Sequence, residues 1–234
     1  MNMSNPRTDV PPRPLRLLLD TADVAAWKRW LPTGMIHGVT TNPVLLEKAG
    51  LPCTLEVLAG LAADAGNLAA GEIHLQTWGE DTATLVRRGA QLAGLATDDL
   101  RVLVKIPATE DGLKAAHQLQ AEGCPVTLTA VFTLGQVMAA AALGVDYAAP
   151  YLGRMQDAGR DGMAEVRAMQ AFLAATASPT RLLTASLRSA SQVGELAAAG
   201  LDTFTAAPKI LADLLTDDLT TRSVADFQRA ATKK

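Results

Sequence analysis

The run Val102-Leu103-Val104-Lys105-Ile106 sets one ammonium group inside the most apolar stretch of the chain. If the run is a strand, Val102, Val104 and Ile106 share one face, and Leu103 and Lys105 share the other. Burial disfavours the charged form of a lysine, by as much as ~3–5 pKa units in buried cases. A neutral amine can attack a ketone and form a Schiff base. The iminium is an electron sink, so a C–C bond β to it can break or form without a cofactor. The competing reading is a lysine whose stem packs while its ammonium escapes to water.

Such chemistry also needs a proton shuttle, a positioned water, donors for substrate hydroxyls and a grip on phosphate. Polar residues at the ends of other apolar runs meet those needs. Tyr151, with a water held by Gln76 and Thr129, would move protons as the carbinolamine dehydrates. Asp20 would take the proton from the hydroxyl whose carbon is cleaved. Asn42 and Ser186 would hold hydroxyls. Arg154 and Arg188 offer planar forks for a phosphate.

The elements that must position these groups alternate along the chain. Short apolar runs occupy 15–20, 37–42, 72–77, 101–106, 125–130, 146–151, 181–186 and 202–207. Helix-period segments lie between them, and several end in glycine, at Gly123, Gly144 and Gly200, where a left-handed cap is expected. Eight strand–helix units in 234 residues without a GxGxxG loop predict a single-domain α/β fold, the (β/α)8 TIM barrel. The barrel spans residues 15–234, with an extra C-terminal helix over roughly 219–232. Residues 1–14, rich in Pro, Asn and Arg, read as a flexible tail. Strand alternation then turns Lys105 inward near a strand's C-terminal end, the face on which barrels of this type carry their sites.

"GVTTNP" at 38–43 and "VKIPATEDGL" at 104–113 resemble the two signature regions of the transaldolase family. The resemblance runs in order from "LLLDTAD" to "TAAPKILADLL" and points to the small branch that includes the fructose-6-phosphate aldolases. It implies a (β/α)8 barrel with Lys105 as the Schiff-base lysine, Asp20 as acid/base and Asn42 as an orienting donor. Arg154 and Ser186 would bind the phosphate end, and Arg188 stands where the family has a second basic residue. Transaldolases of the family carry Glu on strand three and Phe at the end of strand six, whereas this chain has Gln76 and Tyr151, as the aldolases do. Val44 departs from the small or hydroxylated residue usual after "TTNP". Thr127 replaces an Asn of the classical enzymes and an apolar residue of the aldolases, and with Thr41 it is grouped among the substrate-binding positions. The "TAAP" of strand eight is closer to the classical enzymes.

The expected activity is a cofactor-free class I aldolase cleaving fructose 6-phosphate to dihydroxyacetone and glyceraldehyde 3-phosphate. The alternative is a transaldolase moving dihydroxyacetone to an aldose phosphate such as erythrose 4-phosphate. A non-catalytic sugar-phosphate-binding barrel is the reading from another class. The resemblance also implies a ring-like homo-oligomer, a pentamer or decamer.

Composition narrows the partners. Net charge is −3 with no long charge block, which gives no basis for nucleic-acid or membrane-surface binding. Two distant cysteines, Cys53 and Cys124, favour reduced thiols and a cytoplasmic protein. No apolar run reaches the roughly 18 residues of a membrane span. His37, His74 and His117 lack metal-ligand spacing, so no metal site is expected. His74 reads as a hydrogen-bonded core residue and His117 as a surface one. Trp27 and Trp30 read as packing or an oligomer contact, Trp78 as a possible pocket wall, and Arg87-Arg88 as a solvated helix face.

Overall fold

A computed structural model describes residues 13–233. Most of the expected N-terminal tail, residues 1–12, lies outside them. Eight parallel strands follow the apolar runs: β1 (Arg16–Asp20), β2 (Ile36–Thr40), β3 (Glu72–Gln76), β4 (Arg101–Pro107), β5 (Val126–Val131), β6 (Tyr147–Pro150), β7 (Arg181–Leu182) and β8 (Thr203–Ala206). Their order is β7-β6-β5-β4-β3-β2-β1-β8. The ends meet through Thr184, whose N–H donates to Thr203 O at 3.1 Å and whose carbonyl accepts from Thr205 N–H at 3.0 Å. The sheet is thus a nearly closed (β/α)8 barrel. β7 is far shorter than its apolar run because beyond Leu182 it pairs through isolated bridges, Tyr151 with Ala185 and Thr184 with Phe204.

The helices are α1 (Val24–Trp30), α2 (Pro43–Lys48), α3 (Leu55–Asn67), α4 (Thr82–Ala93), α5 (Glu110–Ala121), α6 (Leu134–Leu143), α7 (Leu152–Asp157), α8 (Gly162–Ala175), α9 (Ala190–Ala198), α10 (Pro208–Asp213) and α11 (Asp218–Thr232). Side-chain caps start most of them. Asp23, Asn42, Thr54, Asp81, Thr109, Thr133, Asp161, Ser189 and Asp217 each accept a first-turn N–H. The glycines expected to end helices, Gly123, Gly144 and Gly200, all have positive φ. Two short helices, α2 and α7, are additions to the simple eightfold alternation, directly after β2 and β6.

The strand faces divide as the alternation requires. Val102, Val104 and Ile106 join the large core beneath the helices. Leu103 joins Leu18, Tyr147, Ala149 and Leu183 in a separate cluster inside the barrel. Trp27 and Trp30 are packing residues, with Trp27 Nε1 donating to Thr21 O at 3.0 Å. His117 is exposed. Arg88 departs from the expected solvated face. It is half-buried, donates to Trp78 O at 2.7 Å and lies 4.6 Å from the centre of the Trp78 ring.

The N-terminal end of the barrel is closed by a charged cluster. Glu72, 1% exposed, accepts from Tyr147 Oη at 2.8 Å, His74 Nε2 at 3.1 Å and Arg16 Nη1 at 3.3 Å, with His37 Nε2 at 3.5 Å. Gly38 leaves room for it, since a Cβ there would lie 2.3 Å from the Glu72 carbonyl oxygen. Burial by itself would raise the Glu72 pKa, but hydrogen bonds from His37, His74 and Tyr147 outweigh it and hold the carboxyl far below its usual range. His74 is pushed down, first by burial and further by the charges of Lys105 and Arg101, against the pull of Glu72. The pair is therefore carboxylate and neutral imidazole.

Both shifts act on stability in the same direction. Below pH 6.5 the unfolded histidine takes a proton that folded His74 refuses, and below 4.5 the unfolded glutamate does what folded Glu72 does not. Stability is thus fully present above 6.5 and falls as pH drops through each window. Urea midpoints between pH 7.5 and pH 4 should decline in two stages. In Glu72→Gln the lower stage should flatten, and a midpoint independent of pH would contradict the account.

Candidate active site

At the C-terminal ends of the strands a cavity of about 340 Å³ is lined by Asp20, Asn42, Lys105, Tyr151, Arg154, Ser186 and Arg188, with Lys48, Asp157 and Thr205 among the rest. Lys105 is 3% exposed, and its Nζ donates to the carbonyl of Thr41 at 2.9 Å. Val104 and Ile106 anchor it from the other face of β4. Its residual exposure is small, and it lines the cavity.

Each neighbour is held by a local device. Asp20 closes β1 and accepts from Thr40 Oγ1 at 2.8 Å. Asn42 caps α2, its Oδ1 accepting from Leu45 N–H at 3.0 Å. The oxygen is thereby used, so the Nδ2 donors are what a ligand would meet. Tyr151 precedes α7, and its Oη lies 2.8 Å from Thr129 Oγ1. Its ring stands edge-on to Phe132 at 5.8 Å, with the Arg154 guanidinium 5.3 Å from its centre. Ala130, next to Thr129, has φ 54°, and the β5–β6 register shifts between Leu128 and Val131. Thr129 shares the inward face of Thr127 and lies two residues nearer the strand's C-terminal end, where it meets Tyr151. Ser186 has φ 59°, a left-handed conformation rare for serine and often found where a side chain serves a site. Arg188 Nη2 is tied to Asp157 Oδ2 at 2.5 Å.

Four candidates do not line this cavity: Thr129, which is buried and reaches it only through Tyr151, and Gln76, Thr127 and Thr41. Gln76 ends β3 beside Lys105 in register but lines a second cavity of about 450 Å³, with Trp78, Thr109 and Asp111. Trp78 therefore walls that cavity. Thr127 is fully buried, with Oγ1 2.9 Å from His74 Nδ1, so its hydroxyl belongs to the barrel interior and is not part of the cavity lining. Because His74 Nε2 faces the Glu72 carboxylate, Nδ1 is the acceptor and Thr127 the donor. Thr41 is also buried and contributes its carbonyl to Lys105, while its Oγ1 has no hydrogen-bond partner among the described residues. Among the described residues no group of three or more His, Cys, Asp or Glu is arranged to hold a metal ion, and no helix is long and apolar enough to cross a membrane.

Sequence reasoning passed over Thr40, Lys48, Gly153, Asp157 and Thr205. Gly153 had a readable signal, its place between Tyr151 and Arg154. Its N–H donates to Ser186 O at 2.9 Å, and a Cβ there would lie 2.3 Å from that oxygen and 2.6 Å from Arg188 Nε. The residue lets α7 approach the Ser186 turn.

The molecule is thus a (β/α)8 barrel with a polar cleft around an inward lysine, on the face where such barrels hold their sites. It belongs to the transaldolase/fructose-6-phosphate aldolase family, whose model matches residues 17–234. Among its relatives is a protein named "Probable transaldolase" from Phenylobacterium zucineum, 35% identical over 91% of this chain and 94% of that one. Another, "Probable transaldolase 2" from Listeria monocytogenes, is 33% identical over the same shares. Among solved structures, 2,3-dimethylmalate lyase aligns with TM-score 0.59 at 14% identity, over 94% of this chain and 82% of that one. A thiamine phosphate pyrophosphorylase from Pyrococcus furiosus aligns with TM-score 0.56 at 13% identity, over 82% and 85%. These two share the barrel fold.

Gly153→Ala should disturb both partners of that glycine. Overpacking of this kind costs about 1–3 kcal/mol, so the melting temperature should drop. The affinity for a sugar phosphate, measured by calorimetry, should weaken about tenfold. Wild-type values for both would show that the contact is not constraining.

Proposed function

We propose that the protein is a Schiff-base aldolase that reversibly cleaves fructose 6-phosphate to dihydroxyacetone and glyceraldehyde 3-phosphate. Lys105 adds to the ketone. Asp20 takes the proton of the hydroxyl on the carbon that is cleaved. Asn42 orients hydroxyls, while Ser186, Arg154 and Arg188 meet the phosphate. Tyr151 with Thr129 moves protons to and from the lysine-bound carbons.

The observation that carries the reading is the 2.8 Å contact between Tyr151 Oη and Thr129 Oγ1 at the rim of the cavity that Lys105 lines. An aldolase must protonate its lysine-bound enamine and release it with water, and a phenol held by a second hydroxyl supplies that proton route. A transaldolase keeps the three-carbon unit until an acceptor arrives. Transfer is the second reading, favoured by relatives that are called transaldolases. A binding-only barrel has no use for an enclosed amine that shares its cavity with a carboxylate, which speaks against the third.

Incubation with dihydroxyacetone and borohydride should leave a reduced adduct on Lys105, and Lys105→Arg should abolish both adduct and turnover. Cleavage of fructose 6-phosphate should proceed without an acceptor aldehyde. Tyr151→Phe should lower acceptor-free cleavage at least tenfold while sparing transfer. Turnover only with erythrose 4-phosphate present would select the transaldolase reading, and an unmodified lysine would reject both.

The protein's association with copies of itself is part of the same proposal. Leu219, Val224 and Phe227 are exposed on α11, and none of its residues is buried against the other described residues. Such a face suits a second copy of the barrel. Phe227→Glu should shift sedimentation toward a smaller species, and an unchanged profile would count against α11 as the contact.

A further inference from the structure

Thr205 lies on β8, 2% exposed, and lines the Lys105 cavity. Its Oγ1 is 2.6 Å from Thr40 Oγ1, and Thr40 Oγ1 donates to Asp20 Oδ1 at 2.8 Å. β1 runs between β2 and β8, so the three side chains bridge three adjacent strands. Thr40 stands opposite Asp20 in register. A hydroxyl carries one proton. Thr40 directs its own to the carboxylate, so the proton in the 2.6 Å contact is the one on Thr205. The reverse arrangement would turn a hydroxyl lone pair toward a carboxylate oxygen.

We infer that Thr205 is a positioning residue for Asp20, acting through Thr40. The chain runs from Thr205 O–H to Thr40 Oγ1 and from Thr40 O–H to Asp20 Oδ1. Hydrogen bonds in series polarise one another, so the second is strengthened by the first. One carboxylate oxygen is thereby fixed against the barrel wall, and the other is left for the substrate hydroxyl. The inference rests on the role of Asp20 in the proposed reaction. It adds a residue of β8, a strand that supplies no group to the chemistry itself.

Thr205→Val removes the hydroxyl and keeps the shape. Acceptor-free cleavage of fructose 6-phosphate by the full chain should show kcat lowered about tenfold, the effect of one hydrogen bond of roughly 1.4 kcal/mol. KM should stay within twofold, because phosphate contacts are untouched. Thr205→Ser should restore kcat. In an Asp20→Ala background, Thr205→Val should cost nothing further, because no carboxylate is left to orient. Thr205→Ala serves the same cycle if the valine variant fails to fold. A wild-type kcat in the valine variant, a serine variant as slow as the valine one, or a full additional loss without Asp20 would each overturn the inference. Borohydride trapping of dihydroxyacetone on the wild-type Lys105 is run alongside. An adduct with any of those three results defeats the inference alone, whereas no adduct defeats the proposed reaction and the inference together.

Discussion

Everything at the mouth of this barrel is arranged around one amine held out of water by a neutral partner. Lys105 Nζ is bonded to the backbone carbonyl of Thr41, not to a carboxylate. A carbonyl fixes the nitrogen without supplying a counter-ion, and a paired counter-ion is what makes lysine a purely structural cation. The constraint falls on β2 as well as β4. The carbonyl is aimed by the turn between β2 and α2, where Asn42 caps the helix and Pro43 occupies its first turn. The "TTNP" stretch therefore does three jobs: it receives the lysine, presents an amide, and, through Thr40, holds Asp20.

The interior beneath the lysine keeps its histidine neutral. His74 sits on the inward face of β3, two residues before Gln76, and Lys105 is among the charges that keep it neutral. Glu72 takes the imidazole N–H from below, and Thr127 donates from β5, so the tautomer is fixed from both sides. Arg16 and Tyr147 complete the charge balance around Glu72. Polar groups this deep are costly unless satisfied. Here each satisfies the next, which lets a barrel with a small interior apolar cluster remain closed at its lower end.

The strand pattern of this fold was legible because parallel strands buried on both faces read as short apolar runs. β4 shows the point: its alternation correctly separated Lys105 and Leu103 from Val102, Val104 and Ile106. The helix-terminal glycines were legible for a similar local reason. What could not be read were facts of closure and contact. The apolar run at 181–186 does not show that only Arg181 and Leu182 pair as a regular strand, because the pairing depends on how the last strand meets the first. Thr127 and Thr129 have the same type and the same face of β5, yet one bonds a core histidine and the other reaches Tyr151. The difference is depth in the barrel, since Thr127 pairs with Lys105 and Thr129 with Pro107, one layer nearer the mouth, and the layer of each partner is set only when the strands come into register. Thr205 and Thr40 come from opposite ends of the chain and meet only when the barrel closes.

In the proposed reaction, the choice between cleaving and transferring would rest on one hydroxyl. The Tyr151 ring is held by contacts that do not use its hydroxyl: the edge-on Phe132, the Arg154 guanidinium, and the Tyr151 N–H bond to Val131 O. A phenylalanine would keep all three. What it would lose is the bond to Thr129 and with it a proton source at the rim of the lysine cavity. In the aldolase reading, that one oxygen separates an intermediate that is protonated and released from one that waits for an acceptor. The barrel, the lysine and the phosphate end are common to both. On that reading one scaffold could serve either activity, because the Tyr151 hydroxyl is supported by a neighbouring strand and not by the contacts that hold the ring in place.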